Sequence, residues 1–419
     1  MRRKTSLYLL LCAVLLGALP GFAEWYKGAM HVHSLRSDGD TAPEMPVSWY
    51  KEHGWNFVVV TEHNQLQTEE RFRPITTDKA PKAEHVAALR EKFGEEWVQV
   101  DEKDGQQRLR LKTFDEVRAC FDEPGRFLMI QGEEITTIGG GPHVGATNVV
   151  EQIPARGDEN VVESARLYFD TVKAQSESSG RPMLAVLNHP NFADAVTIEE
   201  MLQLPEYRFF EVFNGHPSVN NWGHPDKGYP STDRFWDVML AYRLCKGVDN
   251  PLYGTATDDA HDYQKWQTGE ANPGRGWVMV NAASLEANAL IESMEAGNFY
   301  ASTGVTVTSI MRDANRLSLE IAGEAGVSYQ TKFVGTRKGC SLESREYVNE
   351  KGESPKRASR VYSDEIGALL KETTGLKPEY QFAGDELYVR AVVISDKPKA
   401  NPFREGDVEM AWVQPVSAR

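Results

Sequence analysis

Short apolar runs alternate with longer amphipathic stretches along the first three quarters of the chain. The apolar runs cover residues 57–60, 127–130, 183–187 and 277–280. They are typical of strands buried on both faces of a parallel sheet. Apolar spacing between them predicts helices at 43–53, 82–94, 161–178, 231–245 and 284–296. Repeated strand-then-helix units predict an α/β fold, either a TIM-like barrel or a doubly wound sheet.

The pattern changes near residue 304. Apolar and polar residues alternate at 317–321, 387–391 and 408–412, which is the period of half-buried strands. One short helix is predicted at 363–375. The C-terminal part is therefore expected to be a small antiparallel β-sandwich. We predict two domains, residues 24–303 and 304–419.

The first 23 residues have the three parts of a secretory signal. Arg2-Arg3-Lys4 precede an apolar run at 7–19, and Gly21-Phe22-Ala23 end the segment. This apolar run is shorter than the roughly 20 residues that a membrane-spanning helix needs. We expect cleavage after Ala23 and export to the periplasm or the exterior, with no membrane association afterwards.

The charge balance narrows the classes of partner. The full chain has 46 basic and 61 acidic residues and a formal charge of −15. Cleavage would remove three of the basic residues and make the chain more acidic. An acidic surface repels polyanions, so long nucleic acid and anionic membranes are not expected partners. The sequence leaves the oligomeric state open.

Cysteine does not supply a metal site in this chain. Only Cys120, Cys245 and Cys340 follow the predicted cleavage point, and none has metal-ligand spacing. At most one disulfide can form, so the fold cannot depend on a disulfide framework. A bound metal must therefore be held by imidazole and carboxylate groups.

Histidine and acidic residues stand where the predicted strands end. His31 and His33 are two residues apart on the presumed first strand, so their imidazoles share a face. The other segments are Ser-Asp-Gly at 37–39, Thr-Glu-His-Asn at 61–64, Gly-Glu-Glu-Ile at 132–135, His143, Asn-His-Pro at 188–190 and Asp-Ala-His at 259–261. In an α/β barrel the carboxyl ends of the strands share one mouth. Side chains of these types would stay unsatisfied there without cations.

These segments, in this order, resemble the PHP (polymerase and histidinol phosphatase) metal-dependent phosphoesterases over residues 28–303. The resemblance implies a distorted seven-stranded β/α barrel that binds two or three divalent metals. Residues 411–415, Ala-Trp-Val-Gln-Pro, resemble the C-terminal tail of exported bacterial-type members. Imidazole and carboxylate ligands suit Zn, Mn or Fe(II).

The resemblance also implies how the ligands are shared. The first site would comprise His31, His33, Glu134 and Asp259. Glu134 would bridge to a second site with His143 and His189. Asp38, His63 and His261 would form the third. Glu134, Asp259 and His261 are the predicted catalytic residues.

Two ligand positions have an acidic neighbour that competes for the role. Glu133 precedes Glu134, and alternation along a strand predicts that only one of them reaches the metal. The family's Gly-x-Glu-Ile spacing favours Glu134. Asp258 precedes Asp259 in the same way, and the Asp-x-His spacing favours Asp259.

Other polar residues are candidates for substrate contacts. Arg36, between His33 and Asp38, and Arg275, in a glycine-rich run, are predicted to clamp phosphate oxygens. A solvated surface arginine is the alternative for each. His216 and His224 are candidates for a contact with a ligand or with substrate.

Residues 65–126 are too long for a simple connection and are predicted to form an insertion beside the mouth. A hairpin is predicted around Asp104-Gly105. Residues 304–419 supply no predicted ligand, so their removal is expected to spare metal binding.

The predicted function is hydrolysis of a small phosphomonoester or phosphodiester by a hydroxide that bridges two metals. A metal-dependent hydrolase of an amide or lactone is one alternative, because the same chemistry attacks carbonyls. A secreted binding protein with structural metals is the other. The choice of phosphate over carbonyl follows from the family resemblance.

Overall fold

A computed structural model describes residues 23–157, 160–248, 250–313, 315–355, 357–402 and 404–417. Apart from Ala23, the predicted secretory signal lies outside these residues. Within them, no helix combines the length and the apolar character needed to cross a membrane.

The helices and strands up to residue 302 come first. They are β1 (Glu24–Ala29), α1 (Glu44–Glu52), β2 (Phe57–Val60), β3 (Arg71–Pro74), α2 (Ala83–Phe93), β4 (Val100–Lys103), β5 (Gln106–Leu111), α3 (Phe114–Phe121), β6 (Leu128–Thr136), β7 (His143–Thr147), α4 (Val161–Ser179), β8 (Leu184–Asn188), α5 (Ile198–Met201), β9 (Phe209–Asn214), α6 (Thr232–Cys245), β10 (Tyr253–Thr257), β11 (Trp277–Ala282), α7 (Ala287–Glu295) and β12 (Phe299–Ser302).

The remaining strands follow. They are β13 (Val307–Arg312), β14 (Arg316–Ile321), β15 (Tyr329–Arg337), β16 (Ser344–Arg345), β17 (Val361–Tyr362), β18 (Ala368–Thr374), β19 (Glu379–Gln381), β20 (Glu386–Pro398) and β21 (Val408–Val416). The five predicted helices are confirmed as α1, α2, α4, α6 and α7.

One large mixed sheet organises the described chain, in the order β10-β9-β8-β7-β6-β2-β1-β11-β12-β21-β20-β15-β18. The strands are parallel within β1-β2-β6 and within β8-β9-β10, and antiparallel elsewhere. This confirms an α/β protein. Strand β11, predicted to lie in a parallel sheet, is instead antiparallel to both neighbours.

The seven strands from β1 to β10 in this sheet, without the insertion strands, form an arc whose ends meet. Val32, just after β1, and Ala260, just after β10, form a parallel bridge. Along the rest of β1 the neighbour is β11, which pairs with residues 24–28. Side chains from β1, β2, β6, β8, β9 and β10 share one buried cluster with residues of β11, β12 and α7. These six strands run in one direction, so their carboxyl ends lie at the same edge of the sheet.

The C-terminal strands extend the same sheet, because β21 pairs with β12. A small antiparallel sheet, β13-β14-β19, packs across a buried cluster from β15, β20 and β21. The predicted helix at 363–375 is wrong: residues 368–374 form β18, which pairs with β15. The open edge of β15 supplies backbone partners, and this tertiary contact overrides local helical preference.

The predicted hairpin in the insertion is confirmed. Strands β4 and β5 pair antiparallel around Asp104 and Gly105, whose φ angles are 53° and 76°. Positive φ at both central residues is the conformation of a two-residue hairpin turn. Leu35 and Ala42 join an insertion cluster that includes Val86 and Leu109. The insertion therefore packs against the loop that carries Asp38.

Candidate metal centre

Backbone contacts beyond the strand ends bring the candidate ligands together. His33 N–H donates to the carbonyl of Ala260 at 3.0 Å, which joins the segment after β1 to the segment after β10. A parallel bridge sets His63 beside Glu134. The ends of four strands thus deliver their side chains to one place.

The first group consists of His31, His33, Glu134 and Asp259, all buried. His31 Nε2 lies 3.3 Å from Glu134 Oε2 and 3.2 Å from Asp259 Oδ1. His33 Nε2 lies 3.5 Å and 3.2 Å from the same two oxygens. None of these four atoms makes a well-angled hydrogen bond. Buried polar atoms are rarely left without a partner, so four that face one another fit a shared cation.

The second group uses the other oxygen of Glu134. His189 Nε2 lies 3.0 Å from Glu134 Oε1, and His143 Nδ1 lies 3.2 Å from it. Asn188 donates to the same oxygen at 3.0 Å. The two oxygens of Glu134 therefore face different histidine groups, which is the arrangement that a bridging carboxylate requires.

The third group lies at the open side of the centre. Asp38 has 55% of its side chain exposed, and its oxygens lie 3.3 Å from His261 Nε2 and 3.4 Å from His63 Nε2. His33 Nδ1 also approaches Asp38, at 3.8 Å. The structure thus brings together all nine residues predicted as ligands, with Asp38 nearest to solvent.

Glu133 and Asp258, the acidic neighbours of Glu134 and Asp259, lie in surroundings different from those of the ligands. Glu133 is buried on the other side of its strand, where Oε1 accepts from Ile153 N–H at 2.6 Å. Burial raises the pKa of Glu133 to about 7, opposed by that hydrogen bond. Asp258 accepts from Tyr50 Oη at 3.0 Å. Glu134 and Asp259 are therefore the members of each pair that face the histidines.

Outer hydrogen bonds orient the imidazoles of His31 and His261 so that Nε2 faces inward, whereas His143 faces Glu134 through Nδ1. Nδ1 of His31 lies 2.8 Å from Glu211 Oε1, and Nδ1 of His261 lies 2.8 Å from the Asp259 carbonyl. His63 Nδ1 lies 2.6 Å from Thr136 Oγ1 and 2.8 Å from Glu134 Oε2, while its Nε2 faces Asp38. An Nδ1–H that donates to an oxygen leaves Nε2 free for a metal.

Glu62 stiffens the loop that leads to Asp38. Its carboxylate accepts from Ser37 Oγ at 2.5 Å and from Ser37 N–H at 3.0 Å. Ser37 Oγ in turn lies 3.2 Å from His33 Nδ1. A Cβ at Gly39 would lie 2.8 Å from the Ser34 backbone, so this tight turn needs glycine.

The sequence did not identify Asn188 and Asn214 as contributors to the centre. For Glu211, in the run Phe-Glu-Val-Phe-Asn at 210–214, it predicts either that the side chain orients a ligand or that it lies at the rim. Asn214 donates to Glu211 at 2.9 Å and to Asp259 at 3.1 Å. Glu211 also accepts from His189 N–H at 2.7 Å. Asn188 and Asn214 end β8 and β9, a signal that sequence can give, and Glu211 lies three residues before the end of β9. Their partners are set by tertiary contacts.

Charge within the centre favours bound cations. Burial alone would lower the pKa of His63, but Glu134 and Asp38 raise it to about 11. Burial likewise opposes protonation of His261, and Asp38 and Asp259 raise its pKa to about 9. Without metal, protons on these imidazoles would offset the carboxylates. Metal binding would therefore release protons.

The structure gives Arg36 and Arg275 contacts other than the predicted phosphate clamp. Arg36 is 1% exposed and donates to the carbonyls of Lys112 and Glu69, at 3.2 and 2.6 Å. Arg275 is fully buried and donates to the Gly215 carbonyl at 3.0 Å. Backbone carbonyl oxygens occupy the positions that phosphate oxygens would need. The two guanidinium groups therefore connect loops.

His216 and His224, the two candidates for a contact with a ligand or with substrate, lie in different surroundings. The His216 ring centroid lies 5.1 Å from that of His261, at the third group. Its Nδ1 accepts from Ser218 N–H at 3.1 Å. His224 Nδ1 instead lies 2.9 Å from Asp194 Oδ1. His216 is therefore the candidate for contact near the ligands, and His224 belongs to a loop pair.

Neither the scan against family models nor the search of curated proteins found a match. Among solved structures, the chain is similar to a two-domain protein from Bacteroides vulgatus that contains a predicted PHP-like metal-dependent phosphoesterase. That match has 14% identity and a TM-score of 0.38, and it covers 95% of this chain and 97% of the other. A second match, at 13% identity and a TM-score of 0.28, is a candidate metal-dependent phosphoesterase from Bifidobacterium adolescentis. It covers 58% of this chain and 89% of the other. These values are below those that establish a shared fold or activity.

Proposed function

We propose that the protein is a metal-dependent hydrolase that cleaves a small phosphomonoester or phosphodiester in a centre of PHP type. The four buried Nε2, Oε2 and Oδ1 atoms of His31, His33, Glu134 and Asp259 carry this proposal, since they face one another without hydrogen-bond partners. Two further ligand groups adjoin them.

Nine ligands in three groups suit two or three divalent ions of Zn, Mn or Fe(II). Such ions would supply the Lewis acidity that activates water and offsets charge on a phosphoryl group. Glu134, with one oxygen toward each of two groups, would hold the ions close together. Outer contacts from Glu211 and Glu62 would keep the ligands oriented.

The open side of the centre is the proposed entry for substrate. Asp38 is half exposed there, and His261 lies beside it. Hydrolysis leaves an oxygen that needs a proton, and Asp38 or His261 is the proposed source. Glu134 and Asp259, buried beneath them, would act on the phosphoryl group only through the ions that they hold.

We also propose that the chain comprises two units with different roles. Residues 24–303 would form the hydrolase unit, as a distorted seven-stranded barrel, and residues 304–419 a β-rich unit that supplies no ligand. The signal-like segment before Ala23 supports export to the periplasm or exterior. An acidic surface supports small phosphorylated substrates over long nucleic acid.

The test uses purified chain from residue 24 onward, stripped with a chelator and reloaded separately with Zn, Mn and Fe(II). Phosphomonoesters, phosphodiesters, amides and lactones are assayed side by side. We expect metal-dependent phosphate release. Asp259→Asn should abolish it. The matched Asp258→Asn should retain most of it, because Asp258 lies outside the ligand groups and an amide can still accept from Gly274 N–H and donate to Tyr50 Oη. Faster hydrolysis of a carbonyl substrate, or metal binding without any hydrolysis, would contradict the proposal.

A further inference from the structure

A cavity of about 690 Å³ opens beside the third ligand group. Its walls come from residues 63–66 and 68–71, around the start of the insertion, from residues 150–152 and from Arg36. His63 belongs to both the cavity and the ligand group. Whatever is attached to a phosphoryl group at the centre can therefore extend into this cavity.

The wall nearest the centre is fixed by its own hydrogen bonds. Asn64 donates to the Thr136 carbonyl at 3.0 Å and accepts from Thr136 N–H at 2.8 Å. Gln152 donates to the Asn64 carbonyl at 2.5 Å, across the cavity wall. Gln65 donates to the Arg36 carbonyl at 2.7 Å. The cavity is thus preformed rather than dependent on closure of a loop.

The charge of the lining argues against a second anionic group. Its acidic residues are Glu69, Glu70 and Glu151, against the cations Arg36 and Arg71. Both guanidinium groups donate to main-chain carbonyls, Arg36 to that of Glu69 and Arg71 to that of Arg36, each at 2.6 Å. The guanidinium groups keep their charge, but apart from the ligand His63 the described lining has three carboxylates against these two cations. A second phosphate would therefore find no excess of positive charge to attract it.

The polar groups of the lining suit hydroxyl groups. Asn64, Gln65 and Gln152 carry amides, Thr68 a hydroxyl and Glu151 a carboxylate. Amide, hydroxyl and carboxylate groups together offer both donors and acceptors. The described lining contains no Phe, Tyr or Trp on which a nucleobase could stack.

We propose that this cavity binds the leaving group of the substrate, and that this group is a neutral polyhydroxylated compound, so that the substrate is a sugar or polyol monophosphate. This inference rests on the proposed phosphoesterase function. In the reaction, a water oxygen forms a bond to phosphorus and the bond from phosphorus to the substrate oxygen breaks. The released oxygen takes up a proton, which gives the free polyol and inorganic phosphate.

The test compares a sugar monophosphate, the corresponding sugar bisphosphate, adenosine monophosphate and p-nitrophenyl phosphate on the metal-loaded chain. We expect kcat/KM for the sugar monophosphate to exceed that for the bisphosphate and for adenosine monophosphate at least tenfold. p-Nitrophenyl phosphate needs little binding of its leaving group, so it reports the hydrolytic centre alone.

Val150→Trp fills the cavity from its rim, where Val150 is 37% exposed. It should lower kcat/KM for the sugar monophosphate at least tenfold and change p-nitrophenyl phosphate hydrolysis less than threefold. Leu369→Trp, at a 56% exposed position on β18, is the matched control and should change neither. Glu151→Lys should raise activity on the bisphosphate relative to the monophosphate.

The outcomes separate the two proposals. Absence of hydrolysis of p-nitrophenyl phosphate and of every phosphodiester, under every metal, would overturn the phosphoesterase function itself. Hydrolysis of phosphodiesters alone would overturn the cavity proposal. Hydrolysis of p-nitrophenyl phosphate without preference for the sugar monophosphate, or an equal effect of Val150→Trp on both substrates, would overturn the cavity proposal alone.

Discussion

At the residue scale, two adjacent glutamates differ in what they face. Glu134 lies among five histidines, whereas Glu133 accepts from the Ile153 backbone. Glu134→Gln should lower activity by more than roughly 100-fold, since even residues that only orient a ligand contribute about 10–100-fold. Glu133→Gln should retain activity. Phosphate release is the measurement, with circular dichroism to confirm folding. Inactivation by Glu133→Gln instead would mean that the strand register is wrong.

Glu211 is expected to act through the ligands that it holds. It contacts His31 Nδ1 and the His189 backbone, and it binds no metal in this account. Glu211→Gln should weaken metal affinity or activity by about 10–100-fold. Competition with a chelator measures the affinity, and Glu206→Gln, at an exposed position, is the control. Equal affinities in the two variants would remove Glu211 from the centre.

The ligand positions could be predicted from the sequence because each lies in a short motif near a strand end or, for Asp38, in the loop after β1. Their outer partners could not, since the contact between His31 and Glu211 joins residues 180 positions apart. The burial of the Arg36 and Arg275 side chains also could not be predicted from the sequence. A glycine-rich or polar neighbourhood suggests exposure, but the structure packs both side chains beneath loops.

At the element scale, the loop after β20 is joined to the loop before β11. Lys399 Nζ donates to the Arg275 carbonyl at 2.8 Å, and Asn401 donates to the Pro273 carbonyl at 2.9 Å. Burial lowers the pKa of Lys399 to about 7. An unfolded lysine has a pKa of roughly 10.4, so the unfolded chain binds more protons between these values.

The free energy of unfolding should therefore rise with pH between about 7 and 10 through this group. Lys399→Met should make that rise shallower. Urea unfolding at pH 7 and pH 9.5 measures the difference. Lys338→Met, at an exposed lysine, should leave the slope unchanged. Parallel slopes for wild type and Lys399→Met would show that Lys399 is not the titrating group.

Helices were easier to predict than strand partners. Apolar spacing predicted a helix at 161–178, and α4 covers Val161–Ser179. Strand direction depends on neighbours that sequence does not name, so the antiparallel setting of β11 was missed. Strand β18 has mostly exposed side chains, and without a buried stripe its sequence gave no strand signal.

At the scale of the whole molecule, the C-terminal residues complete the large sheet. Strand β21 covers the edge of β12, and the Gln414 side chain bonds to Gly254 N–H and C=O at 2.9 and 2.8 Å. Gly254 lies in β10, the strand that leads to Asp259. The tail thus supports a strand of the candidate centre.

Deleting residues 304–419 is therefore expected to cause aggregation or unfolding, rather than to leave a folded metal-binding unit. The exposed edge of β12 and the uncovered apolar surface are the physical reasons. Solubility, gel filtration and circular dichroism measure the outcome. A soluble, folded fragment with full metal content would support the simpler expectation that the tail is dispensable for the centre.

Net charge sets the expected substrate size. The full chain carries a formal charge of −15, so distant phosphates are repelled, and bound metals would attract only the group at the centre. We expect higher kcat/KM on small phosphoesters than on single-stranded DNA at moderate salt. Rapid processive digestion of long strands would contradict this expectation.

The central claim is that nine side chains at one edge of the sheet bind divalent metals that the activity requires. Elemental analysis of the purified chain from residue 24 onward, alongside phosphate release from the same sample, tests it most directly. The account predicts two to three divalent ions per chain, with activity that is lost on chelation and regained on reloading. A metal-free protein with full activity would contradict it.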